Sequence, residues 1–191
     1  MTKKLTLFSR LRTLELQDSV IISLCIAERM FINARIYFNS LGEQQPLDLL
    51  ESVLNKFWMS AFKKKQNFAN NAEKIGLLLD EIEDDSLASK STLDFLVGLN
   101  VLIDTFAGSE LQPAVMLAKL SQGDIERYLR VQNDSDLTPA QIRESELVIY
   151  EIELIESLIE YLASNTPNVE ELMYLRDSFR NEKISNLGLS S

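Results

Sequence analysis

The sequence predicts an all-α, single-domain bundle of roughly seven or eight helices with no sheet. Three observations carry that prediction. First, only 6 Gly and 4 Pro occur in 191 residues, and few stretches are rich in β-branched side chains, so helices are favoured over strands. Second, the Ser, Thr, Asp, Asn, Pro and Gly present fall where helices start and stop. Third, apolar residues recur at helical spacing, with no alternation long enough for a strand. Hydrophobic residues make up 46% and charged residues 25%, which suits one domain with a sizeable core.

Each helix has its own signals. Leu7, Leu11 and Leu14 share a face and predict a short amphipathic helix over Leu5–Leu14. A long helix follows over Ser19–Leu41, with Asp18 as N-cap and Gly42 just past its end. Pro46 suits the first turn of a third, "PLDLLESVLNKFWMSAFKKK". Asn70 with Glu73 reads as a capping box for "AEKIGLLLDEIED". Ser91 and Asp94 have cap spacing before "LDFLVGLNVLIDTFA", which Gly108 ends, and Ser109 with Gln112 opens "ELQPAVMLAKLSQGDIERYLRVQ". After the polar loop "NDSDL", the combination Thr138, Pro139 and Gln141 starts a helix expected to reach Ala163. Thr166-Pro167 starts the last, "NVEELMYLRDSFRNEK", and residues 183–191 form a short tail expected to dock on the bundle. The runs Val20–Phe38 and Leu93–Phe106 are apolar almost all round, so both helices are expected centrally.

Composition excludes several chemistries. With no His, the chain has no Ser-His-Asp triad, no Cys-His pair and no His-based zinc or di-iron site. One Cys forms no intramolecular disulfide, which fits a reducing compartment. The net charge of −10 opposes binding to a phosphate backbone, so no nucleic-acid partner is expected. The run Lys63-Lys64-Lys65 reads as positive charge near a helix C-terminus. Ser9, Arg10 and Arg12 interrupt the N-terminal apolar stretch before a signal-peptide core forms, and Val20–Ala27 falls short of the roughly 20 residues a membrane helix needs. A soluble, cytoplasmic protein without a membrane partner is the expectation.

Five constellations bear on chemistry or contact. Cys25, Arg29 and Asn33 share a helix face beside Glu28. An arginine can activate a thiol, but no base is present and Cys25 lies among Ile22, Leu24 and Ile26, which favours inert packing. Asp94, Asn100 and Asp104 belong to the second central helix, the last two one turn apart; either they line an interhelical pocket, or Asp94 is part of a cap while Asn100 and Asp104 face backbone and solvent, and the second reading is preferred. Glu153, Glu156 and Glu160 line one side of a helix, and Asp80 and Asp84 are one turn apart. Such carboxylates can hold Mg²⁺ for phosphoryl transfer or nucleotide hydrolysis, although a solvated acidic face gives the same pattern. "NDSDL" lacks the spacing and closing glutamate of a calcium loop. Finally, Phe57, Trp58, Met59 and Phe62 are the nearest approach to an exposed apolar patch, but read better as core.

Read in order, "AERMFINARIYF", "NKFW", Asn67-Phe68, Leu93-Asp94 and the closing "SNLG" resemble the YjaG-like family of small bacterial proteins, a domain of unknown function, from about Leu11 to Gly188. The resemblance implies an all-helical cytoplasmic protein and supplies no activity, substrate or cofactor. It singles out Glu28, Arg29, Asn33, Asp94, Ser185, Asn186 and Gly188. From these positions we expect an interhelical polar cluster of Glu28, Arg29, Asn33, Asp94 and Asn186, with the tail turning back at Gly188. The favoured function is non-enzymatic, with no cofactor, acting through a protein partner or as a homo-oligomer. A Mg²⁺-dependent enzyme built on the acidic residues is the alternative.

Overall fold

The computed structural model describes residues 6–63, 65–133 and 136–190. Leu5, Lys64 and the Asp134-Ser135 part of "NDSDL" therefore lie outside the described residues. Within them the chain folds as an all-α bundle: α1 (Leu7–Leu11), α2 (Leu16–Leu41), α3 (Gln44–Ser60), α4 (Ala69–Glu81), α5 (Leu87–Ala107), α6 (Pro113–Gln132), α7 (Pro139–Arg143), α8 (Glu146–Ser164) and α9 (Val169–Glu182). The one β-type pairing among the described residues is an isolated antiparallel bridge between Ile184 and Ser190. No described helix is long and apolar enough to cross a membrane.

The bundle is organised around α2, which packs against α3, α5, α6, α8 and α9. Every residue from Ser19 to Ala34 is buried. This follows from composition: a helix apolar on all faces must be covered on all faces. α5 lies against α2, α4 and α6, but it is less central than its apolar sequence suggests, because Val97 and Asp104 remain exposed. At one end of the core Phe57, Phe68 and Phe106 meet with ring centroids 4.8–5.4 Å apart. Phe57 and Trp58 are core residues, whereas Met59 and Phe62 are exposed.

Several helix boundaries differ from those the sequence predicts, each for a local reason. α2 begins three residues earlier, with Glu15 at the N-cap, so Asp18 lies inside the first turn and complements the helix dipole there. The C-terminal signal at Gly42 holds, since its φ of 74° is left-handed. α3 stops at Ser60, short of the lysine run. α4 starts at Ala69, and Asn67 rather than Asn70 accepts the first amide. α5 starts at Leu87 behind Ser86, whose side chain accepts from the Ser89 amide; Ser91 is mid-helix and its hydroxyl is committed elsewhere. Pro113 opens α6, and a buried amide of its first turn, on Ala114, donates to Ser19 of α2.

The helix expected from Pro139 to Ala163 is two helices. Thr138 and Gln141 do form the capping box, but the helix breaks after Arg143. Ser145 causes the break: its hydroxyl donates to the Ile142 carbonyl and accepts from the Val148 amide, ending α7 and capping α8 at once. α9 starts two residues after Pro167, where Asn168 and Glu171 make a reciprocal capping box.

Candidate functional site

The buried polar residues of α2 define the site. Glu28 and Arg29 are adjacent on the helix, so their side chains leave it in different directions. They do not pair with each other. Glu28 faces α3 and α9: Trp58 Nε1 donates to its Oε1 at 2.8 Å, and Arg180 donates to both carboxylate oxygens at 2.7 and 3.0 Å. Arg180 also donates to Asn55 Oδ1. Arg29 faces α8, where Nη1 lies 2.6 Å from Glu151 Oε2, and its Nη2 donates to the Ser185 carbonyl of the tail at 3.1 Å. Tyr150 places its ring 5.0 Å from the guanidinium, a cation–π contact.

One turn further, Asn33 binds the tail and α6 together. Its amide nitrogen donates to Asn186 Oδ1 at 2.7 Å and to Asp124 Oδ2 at 3.2 Å. Asn186 in turn donates towards Ser121 and Asp124. Ser121 donates to Glu151 Oε1 at 2.5 Å, which links this group to the Arg29 pair. Asp124 also accepts from Ser91 at 2.5 Å and from Arg127 at 3.1 Å, and Arg127 continues to Asp94 at 2.8 Å. Burial pushes the Asp124 carboxyl above the ordinary carboxylate range, partly opposed by the hydrogen bonds from Ser91 and Asn186.

The tail enters this network through a tight turn. Ser185, Asn186 and Leu187 are buried. Gly188 has a φ of 72°, and a Cβ there would approach Leu147 to 3.2 Å, so glycine suits both the backbone and the space. The Ser185 hydroxyl accepts from the Leu187 and Leu189 amides.

Of the five residues expected together, the structure joins Asn33 to Asn186 directly and Arg29 to the neighbouring Ser185 carbonyl. Asp94 reaches the group only through Arg127 and Asp124, and Glu28 belongs to a separate cluster with Trp58 and Arg180. Sequence reasoning missed Glu151, Asp124, Ser121, Ser91, Arg127 and Arg180. Two of these had a signal. Glu151 lies at helical spacing between Val148 and Ile155, on the apolar stripe of α8, and Asp124 continues the buried row Leu117–Ser121 of α6. A carboxylate on the buried stripe of a helix implies a buried partner.

Cys25 is fully buried and its thiol is pushed well above the ordinary range by burial, with Glu28 adding to the effect. That burial suits a packing role. Asn100 is half-buried and Asp104 exposed. Glu156 and Glu160 lie 3.6 and 3.7 Å from Arg10, and Asp84 accepts from the Ser86 amide and hydroxyl. Among the described residues, no group of three or more Cys, Asp or Glu side chains is placed to hold a metal ion.

On the surface, α8 and α9 each pack on α2 and leave a gap between them. The gap is an apolar groove of about 390 Å³, walled by Leu158, Tyr161, Tyr174 and Leu175 and edged by Glu170 and Glu171. Tyr174 is 78% exposed, more than any other large apolar or aromatic side chain described.

No curated protein matches the chain. A crystal structure of a DUF416 family protein from Shewanella baltica OS155 has the same fold, with a TM-score of 0.87 at 23% identity over 98% of this chain and 100% of that one. The family model described as "Protein of unknown function (DUF416)" matches residues 6–190, a span that takes in α2, both buried polar clusters and the docked tail, and the chain belongs to that family.

Proposed function

We propose that this protein, which we read as a YjaG-like cytoplasmic member of its family, works by contact rather than by catalysis. It docks a basic, apolar-faced segment of another protein in the groove between α8 and α9. The observation that carries this reading is the groove itself, where two exposed tyrosines stand over the buried Leu158 and the half-buried Leu175, beside a pair of glutamates. Exposed aromatic anchors in a cleft between helices are the usual means of holding an amphipathic partner helix. The acidic rim and the net charge of −10 select a basic segment and speed its encounter. A second copy of the chain would bring the same negative charge, which weighs against self-association. The buried polar residues support the reading differently: they are engaged with one another, and they hold α2, α6, α8 and the tail in one register.

The test is a titration of the protein with a Leu/Lys amphipathic helical peptide and with its Leu/Glu counterpart, followed by calorimetry. The basic peptide is expected to bind saturably, the acidic one not at all, and Tyr174→Ala or Tyr161→Ala to weaken the basic peptide by roughly tenfold. Binding of the basic peptide unaffected by either tyrosine variant would reduce the interaction to net charge and remove the groove from it. Concentration-dependent dimerisation in sedimentation, abolished by Tyr174→Ala, would instead assign the groove to a second copy.

A further inference from the structure

A second cavity, on a different face, has chemistry of its own. It is about 180 Å³ in volume and lies where α2, the start of α5 and the C-terminal tail meet. Its walls are Ile36 from α2, Leu87 and Ala88 from α5, and Leu187 and Leu189 from the tail; the polar residues lining it are Asn33 and Ser91. Cavities of roughly 150 Å³ accept a molecule of the size of benzene, so this one takes a single small ring or a short branched chain.

The two polar residues set what that molecule must offer. Asn33 is 3% exposed. Its nitrogen donates to Asp124 and Asn186, both through acceptor oxygens, so the amide cannot be turned round without setting oxygen against oxygen. Its Oδ1 accordingly takes no hydrogen bond from the protein. Ser91 cannot supply one either, because its hydroxyl proton is given to Asp124. Asn33 and Ser91 therefore bring acceptors and no free donor to an otherwise apolar lining, with the buried Asp124 carboxylate behind them. A buried acceptor left unsatisfied is destabilising, and a guest that supplies a proton recovers part of that loss.

We propose that this cavity binds a small neutral ligand with an apolar body and one O–H or N–H group, whose proton Asn33 Oδ1 accepts. Anions are excluded by the apolar walls, by the absence of a free donor and by Asp124. Because Leu187 and Leu189 form part of the wall, the ligand also fastens the tail to α2 and α5. Occupancy of the site is thereby coupled to how firmly the tail is held.

Phenol, toluene and benzoate are the probes, titrated into ¹⁵N-labelled protein. Phenol is expected to shift the amides of Asn33, Ala88 and Leu187–Leu189 saturably. Toluene, with the same body and no donor, should bind at least tenfold more weakly, and benzoate should leave those signals unmoved. Ala88→Leu fills the cavity from α5 without touching the hydrogen-bonded network and should abolish the phenol shifts; Ala88→Val serves the same purpose if the leucine variant does not fold. No saturable shift with phenol would overturn the site, leaving Asn33 Oδ1 to water alone. Toluene binding as well as phenol, or benzoate binding at all, would overturn the assignment of its chemistry. None of these outcomes depends on the α8–α9 groove, which Tyr174→Ala tests separately.

Discussion

Glu28 and Arg29 are neighbours in sequence and both nearly inaccessible to water, yet they anchor two clusters of different character. On the Glu28 side the cation comes from Arg180, whose side chain remains 23% exposed, and the carboxylate has a second neutral donor in Trp58. On the Arg29 side both members of the ion pair are at most 3% exposed, and the guanidinium is enclosed by Glu151, the Ser185 carbonyl and Tyr150. The difference teaches where a charge pair is replaceable. A pair with one foot in solvent loses Coulomb energy when broken, but water can take over part of the solvation. A fully buried pair leaves its survivor charged, dry and unpaired.

The largest expected effect follows from that contrast. Arg29→Met strands Glu151 with the Ser121 hydroxyl as its remaining donor and should cost about 3–5 kcal/mol. In a chain of this length that lowers the thermal midpoint by the order of 10 °C. The double variant Arg29→Met with Glu151→Leu should recover most of the loss, because it removes both charges together. A midpoint unchanged in the single variant would sink the claim that this pair is fully desolvated.

Arg180→Met, on the other side of the helix, should cost less, about 2 kcal/mol, since it removes charge-assisted hydrogen bonds at a partly wet site. Its Trp58 emission should also change, because Glu28 then depends on the indole N–H. Equal losses in the two single variants would erase the distinction between the clusters.

The smallest effect is a change of slope with pH. Burial raises the Asp124 carboxyl in the folded chain above its ordinary value of 3.8. The folded state then holds that proton more tightly than the unfolded state does. This contribution is present below the ordinary value and is lost as pH rises through the folded one. Asp124→Asn should therefore flatten the decline of the thermal midpoint over that interval, whatever it does to the absolute midpoint. An identical slope in wild type and variant would remove Asp124 from the pH response.

Much of this architecture is legible in the residues. The helical class, the central place of α2, the stops at Gly42 and Gly108 and the capping box at Thr138 all follow from local rules, because a cap or a left-handed glycine acts within one turn of chain. Ser145 and Ser91 mark where those rules run out. The same hydroxyl that caps a helix can equally bond a carbonyl one turn back or a carboxylate on another helix, and the choice at Ser91 was made by Asp124, thirty-three residues away.

The candidate sites divide in the same way. That Glu28, Arg29 and Asn33 must find buried partners follows from their position on an apolar helix, since a charge there has no water to turn to. Which partners they find does not follow, because nothing local to α2 tells which helix will lie against it, even though Glu151 is marked within α8 by its place on the apolar stripe. That was decided when α8, α6 and the tail came to rest on α2 and left one carboxylate facing each donor. The sequence by itself determined the helices, the identity of the central one and the need for its charges to be paired. Only the tertiary structure decided the pairing, the groove and the cavity, because all three are set by distances between segments that the chain brings together only on folding.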